Sequence, residues 1–187
     1  MPDRAALLGH SMGARIALEI WRHAPQRISR LALADTGVHP VRSGERESRY
    51  ALRDLGRAEG AEALVGEWLP PMVGRSHQAD PDLMARLHRM ACDGGPEAYE
   101  RQIEALLHRP DAEPVLATID CPTLVVVGGD DLWSPVAHHE DIAARIPGAR
   151  LRVVENAGHM APAEEPDQFN AFVREWMTWR KISTRDN

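Results

Sequence analysis

The sequence predicts an α/β fold: a parallel sheet flanked by helices, with a helical segment inserted between two of its strands. Three observations predict it. Short strand-like runs at 5–9, 28–34, 123–127 and 150–155 alternate with amphipathic stretches, the pattern of βαβ units. The first run leads directly into Gly9-His10-Ser11-Met12-Gly13, which reads as strand, sharp turn, helix. Polar residues suited to act together then fall just beyond three predicted strand ends: Ser11, an aspartate of the Asp130-Asp131 pair, and His159.

The elements follow in order. Residues 5–9 are apolar throughout, as expected of a strand buried on both faces of a parallel sheet. Gly9 and Gly13 supply small neighbours where the backbone doubles back at Ser11. The helix after Ser11 sets Ile16, Ala17, Ile20 and Trp21 along one side, and Pro25 closes it. Residues 28–34 form the next strand, completing a βαβ unit with a right-handed crossover. Residues 38–120 change to helical periodicity, roughly 45–57, 60–69, 82–92, 96–108 and 112–118. Asp80-Pro81 and Pro96 open the third and fourth of these, while Pro70-Pro71 and Gly94-Gly95 interrupt the run. So long an excursion between strands predicts a helical lid with the ordinary crossover helix at its end. Its apolar residues (Leu64, Trp68, Leu69, Met72, Met84, Leu87, Met90) suit a lid core. Trp68, Leu69 and Met72, which flank the double proline, are assigned to the pocket side. Residues 123–127 resume the sheet, Pro135 opens a helix through Ile146, and 150–155 form the last strand. A final helix from about Pro166 presents Phe169, Phe172, Val173, Trp176 and Met177 to the core, with a frayed tail after Ile182. The expected division is residues 1–37 and 119–187 as the sheet-bearing core, with 38–118 as the lid and crossover helix.

Composition narrows the class. With 187 residues, 43% hydrophobic and 27% charged, the chain is long and apolar enough for one domain with an insertion. A net charge of −6 argues against nucleic acid or an anionic membrane as partner. No apolar stretch approaches the ~20 residues of a membrane span, and no signal peptide precedes the first strand. Cys92 and Cys121 lack metal-site spacing and read as free thiols of a reducing cytosol, so a cytoplasmic protein is expected. His138-His139 do not share a helix face and pair with no ligand at metal spacing, so no metal site is expected.

The order Ser…Asp…His carries a definite chemistry. Serine is a weak nucleophile near neutral pH; a histidine that takes its proton, oriented by a buried carboxylate, activates it. The motifs Leu-Gly-His-Ser-Met-Gly, Leu-Ala-Leu-Ala-Asp-Thr-Gly, Pro-Thr-Leu-Val-Val-Val-Gly-Gly-Asp-Asp and Ala-Gly-His-Met-Ala-Pro together resemble the α/β-hydrolase fold family. The resemblance is to its lid-bearing esterase and 3-oxoadipate enol-lactonase-like branch, and it runs along nearly the whole chain. It implies Ser11 as nucleophile, His159 as base and Met12 N–H as oxyanion donor. Gly128, Asp131 and Pro135 fit the family's acid turn, which selects Asp131 over Asp130. Asp35, at another strand end, is the competing acid. His10 is a packing residue within the motif, grouped with Trp68, Leu69, Met72 and Trp133 at the substrate site. The implied activity is hydrolysis of a small carboxylic ester or lactone through an acyl-enzyme, with no cofactor. Carbon–carbon bond hydrolases and cofactor-free perhydrolases use the same three residues, and a non-catalytic fragment or binding protein would retain them by descent. The family places several strands before the nucleophile strand, with the loop that gives the second oxyanion N–H. Their absence here predicts a truncated fold, an open edge at 5–8, association through it, and impaired turnover.

Overall fold

A computed structural model of the chain describes residues 4–180. Four strands, β1 (Ala5–His10), β2 (Ile28–Ala34), β3 (Thr123–Gly128) and β4 (Arg150–Val154), form one sheet in the order β1-β2-β3-β4, every pairing parallel. Helix α1 (Met12–His23) connects β1 to β2, and α6 (Val136–Arg145) connects β3 to β4. Between β2 and β3 lie α2 (Glu45–Glu59), α3 (Ala61–Trp68), α4 (Pro81–Leu107) and α5 (Glu113–Leu116). After β4 come α7 (Ala161–Glu164) and α8 (Pro166–Thr178). The tail expected to fray lies outside the described residues.

Strand alternation sorts the core into two layers. Leu31 and Leu33 of β2 and Val125 of β3 face a cluster with Ala14, Ala17, Leu18 and Trp21 of α1, Val115 and Leu116 of α5, and Ile142 of α6. Ala32, Ala34, Leu124 and Val126 face the opposite way, onto Phe169 and Trp176 of α8. All six residues of β3 are buried, the mark of a central parallel strand. Each of its valines contributes ~1.5–3 kcal/mol by leaving water. A third cluster, Val65, Leu69, Val73, Leu83 and Leu87, packs α3 against α4 apart from the sheet. Arg109, just past α4, makes a two-pronged ion pair with Glu45 at the start of α2, with N–O distances of 2.6 and 2.8 Å. That pair closes the helical segment on itself.

Several expectations need correction. Among the described residues β1 pairs with β2 alone, and Leu8 is 39% exposed, so this strand is not buried on both faces. On α1 the inward residues are Ala14, Ala17, Leu18 and Trp21, while Ile16 and Ile20 point outward. Met90 and Met177 are also exposed, each one helix position off its buried stripe. The expected helices 82–92 and 96–108 run as one element broken at Gly95, whose φ of 71° and ψ of 167° end one helix and let Pro96 begin the next.

Candidate active site

Three strand ends converge on the site. Ser11 follows β1 and stands at φ 52°, ψ −116°, a conformation non-glycine residues rarely adopt. Its N–H donates to Ala34 O at 2.8 Å and its carbonyl accepts from Thr36 Oγ1 at 3.0 Å, so the end of β2 holds the turn in place. The two motif glycines differ in their reasons. A Cβ on Gly9 would collide with the Gly13 carbonyl, whereas the space beside Gly13 is open. Only Gly9 is therefore required by close approach of the backbone.

His159 lies in the loop after β4, almost fully buried. Ser11 Oγ donates to its Nε2 at 2.8 Å, and its Nδ1–H donates to Asp131 Oδ2 at 2.8 Å. This assignment follows because an ionised carboxylate only accepts. Asp131 follows β3; its other oxygen accepts from the N–H groups of Trp133 and Ser134 at 2.8 and 2.9 Å. Burial alone would raise this carboxyl, but the hydrogen bond and charge of His159 and those two N–H groups hold it below the usual range. Asp130 is exposed, and its N–H donates to Ala157 O. Met12 opens α1, where N–H groups lack intrahelical acceptors and the helix dipole favours negative charge.

Residues given no site role in the sequence reading support this set. Glu164 is 5% exposed and gathers three backbone donors: Gly74 N at 2.7 Å, and Gly158 N and Met160 N at 3.0 Å. Since Gly158 and Met160 flank His159, this carboxylate fixes the histidine loop, and His159 N–H itself donates to Met72 O at 2.7 Å. Glu164 lies five residues past His159 in α7, a single turn too short to announce itself by periodicity. His139 is fully buried and accepts from Thr36 N–H at 2.9 Å; burial pushes its pKa down to about 4.

The other expected residues divide. His10 donates from Nε2 to the His159 carbonyl at 2.7 Å, and burial lowers its pKa. Asp35, the competing acid, is wholly buried; one oxygen accepts from Gly128 N–H, and burial pushes its pKa well up. His10 Nε2 and Asp35 Oδ2 lie 3.6 Å apart, and burial works against the charged form of each. Asp131, not Asp35, touches the imidazole. The Trp133 ring lies 6.1 Å from that of His159. Trp68 and Leu69 line a cavity of about 240 Å³ together with Leu64, Leu87, Tyr99 and Met160, the neighbour of His159. Met72 is not in that lining; it is buried, and its carbonyl serves the histidine loop. A larger cleft of about 460 Å³ lies between α1 and the end of α4, lined by Met12, Ile16, Ile20 and Leu106 but not by Ser11 or His159.

The fold and this hydrogen-bonded chain define a class: parallel α/β proteins built around a serine presented on a strand-to-helix turn. The chain belongs to the alpha/beta hydrolase family, which it matches over residues 1–172. It is 28% identical to a 3-oxoadipate enol-lactonase from Acinetobacter baylyi, covering 91% of this chain and 62% of that protein. It is likewise 28% identical to a pimeloyl-[acyl-carrier protein] methyl ester esterase from Neisseria meningitidis, covering 92% and 69%. Among solved structures, a thermophilic esterase from Thermogutta terrifontis superposes with a TM-score of 0.87 at 30% identity, covering 94% of this chain and 65% of the esterase. The chain thus spans about two thirds of the length of the relatives it matches. No helix among the described residues is long and apolar enough to cross a membrane.

Proposed function

We propose that the chain is a serine hydrolase acting on a small carboxylic ester or lactone through an acyl-enzyme. One observation carries the reading: the unbroken chain from Ser11 Oγ to His159 Nε2 and from His159 Nδ1 to Asp131 Oδ2, 2.8 Å at each link. In the proposed reaction Ser11 Oγ attacks the carbonyl carbon while His159 takes its proton. Asp131 orients the imidazole and stabilises its cation. Met12 N–H meets the oxyanion at the helix N-terminus. As the tetrahedral intermediate collapses, the ester C–O bond breaks and His159 returns the proton to the departing alkoxide. A water, deprotonated by the same histidine, then releases the acid and restores Ser11. For a lactone the alcohol stays tethered to the acyl group.

Residues 38–118 are assigned the role of lid and crossover, over a core of 1–37 and 119–187. The cavity beside Met160 takes the apolar part of the substrate; at about 240 Å³ it suits a small one. The reading agrees with the esterase and enol-lactonase names of the relatives. It also includes association of copies through the open edge of β1, and action in the cytoplasm.

The test combines fluorophosphonate labelling with turnover of a short-chain p-nitrophenyl ester. Ser11→Ala and His159→Ala should each remove nearly all turnover, and the double variant should lose little more, because groups that act as a unit are not additive. Additive losses, or labelling that persists in Ser11→Ala, would overturn the assignment.

A further inference from the structure

Away from Ser11, helices α3 and α4 bring together three side chains with different metal-binding donors. His88 and Cys92 stand one turn apart on α4 and project from the same face, and Glu62, in the first turn of α3, meets them. Cys92 Sγ lies 3.6 Å from His88 Nδ1 and 4.0 Å from its Nε2, and Nε2 lies 3.5 Å from Glu62 Oε2. One donor atom from each residue falls within 4.8 Å of the other two. A tetrahedral ion with bonds of ~2.0 Å to nitrogen and oxygen and ~2.3 Å to sulfur holds its ligands ~3.3–3.6 Å apart. Small side-chain rotations close the difference.

A cysteine–histidine contact at this spacing is common on helix surfaces and needs no metal. Here a third donor arrives from a separate helix, and the charged groups acting on the thiol, Glu62 and Asp93, are both acidic. Their potential favours a cation. The proposed ester chemistry uses none of these residues.

We propose that Glu62, His88 and Cys92 form a zinc site that clamps α3 to α4, with water as fourth ligand. The mixed sulfur, nitrogen and oxygen donor set suits zinc and disfavours magnesium or calcium, which take oxygen alone. Binding releases five of the six waters of the hydrated ion: three give way to Cys92 sulfur, an imidazole nitrogen and a Glu62 oxygen, two more leave as the ion becomes four-coordinate, and one stays as the fourth ligand. The thiol proton leaves to solvent, and nothing is oxidised or reduced. Thiolate and carboxylate together balance the ion's two positive charges. Glu62 is 83% exposed and the His88 side chain 31%, so the ion has an entry path and room for its water. Because Leu64 of α3 and Leu87 of α4 line the cavity beside Met160, the clamp stiffens that cavity's wall.

The experiment is a cobalt(II) titration of the full chain, followed by displacement with zinc. The expected result is one equivalent bound, with the intense visible absorption of tetrahedral cobalt and a thiolate-to-cobalt charge-transfer band. Cys92→Ser should abolish the charge-transfer band, and His88→Gln and Glu62→Gln should each weaken binding tenfold or more. Cys121→Ser, altering the buried thiol of the sheet core, should leave the spectrum intact. Zinc near 100 times its Kd should raise the Tm of the unaltered chain by about 5–10 °C and that of Glu62→Gln by about half as much or less. Since Glu62 is at the surface, that variant keeps its fold and the comparison stays decisive. An octahedral spectrum without a thiolate band, or a band that survives Cys92→Ser, would overturn the site.

Discussion

Ser11 occupies a backbone conformation that costs a non-glycine residue ~1–3 kcal/mol, and the strand ends around it hold it there. The same dependence on neighbours separates the two adjacent aspartates. Asp131 accepts from His159 and from two backbone N–H groups, while the Asp130 side chain is exposed. Asp131→Asn should lower ester turnover by ~10²–10⁴ by presenting an amide where the imidazole needs a carboxylate. Asp130→Asn should change turnover less than about twofold, within the small effect typical of surface substitutions. Steady-state kinetics on both variants check this; equal losses would count against the assignment. That Ser11, an aspartate of the 130–131 pair and His159 would meet was legible because each sits at a strand end within a distinctive motif, whereas the choice of Asp131 came from the family resemblance. Glu164 was not legible, because its partners are backbone N–H groups, one of them 90 residues away, and backbone donors leave no trace in residue identity.

The strands were the most legible elements. β2 spans the run expected for it, residue for residue, because parallel strands buried on both faces read as continuous apolar stretches. Helix faces were harder to read. On α1, Ile16 and Ile20 share a helical stripe with Ala17 and Trp21, yet that stripe turns outward along one side, which periodicity alone does not orient. The three-residue helices at Pro25–Arg27 and Pro70–Met72 and the short α7 were too brief to show a period. His139 shows what an element boundary can hide. It sits in α6, yet its Nε2 accepts from Thr36 beyond β2, tying two strand ends together. Its native pKa of about 4 lies below the unfolded value near ~6.5, so the unfolded chain binds the proton more tightly. Stability is therefore whole above pH ~6.5 and is lost as pH falls toward 4, by roughly 3 kcal/mol. In thermal melts across that window, His139→Gln should show a flatter dependence on pH than the unaltered chain. A parallel decline in both would exclude His139 as its source.

On the scale of the whole molecule, exposed apolar side chains include several on β1 and α1. Among the described residues β1 has no partner strand on its outer side; Leu8 of that strand is exposed, and Ile16 and Ile20 of α1 are exposed in the cleft of about 460 Å³. An open edge with apolar neighbours pairs readily. Sedimentation should find dimers or larger species that dissociate when Leu8 or Ile16 is replaced by lysine; a compact monomer at high concentration would exclude this contact. The carboxylate of Glu164 has a different consequence, which concerns time. It joins Gly74 to the loop around His159, and His159 N–H reaches back to Met72, so the imidazole has no settled position until distant parts of the chain have met. Ser11 is held by groups no farther along the chain than Thr36, and contacts between more distant segments form later because closing longer loops costs more entropy. After dilution from denaturant, helical circular dichroism should therefore return first and fluorophosphonate reactivity at Ser11 only afterwards. The interval should lengthen in Glu164→Gln. In the life of each molecule, the serine waits in place for its histidine to arrive.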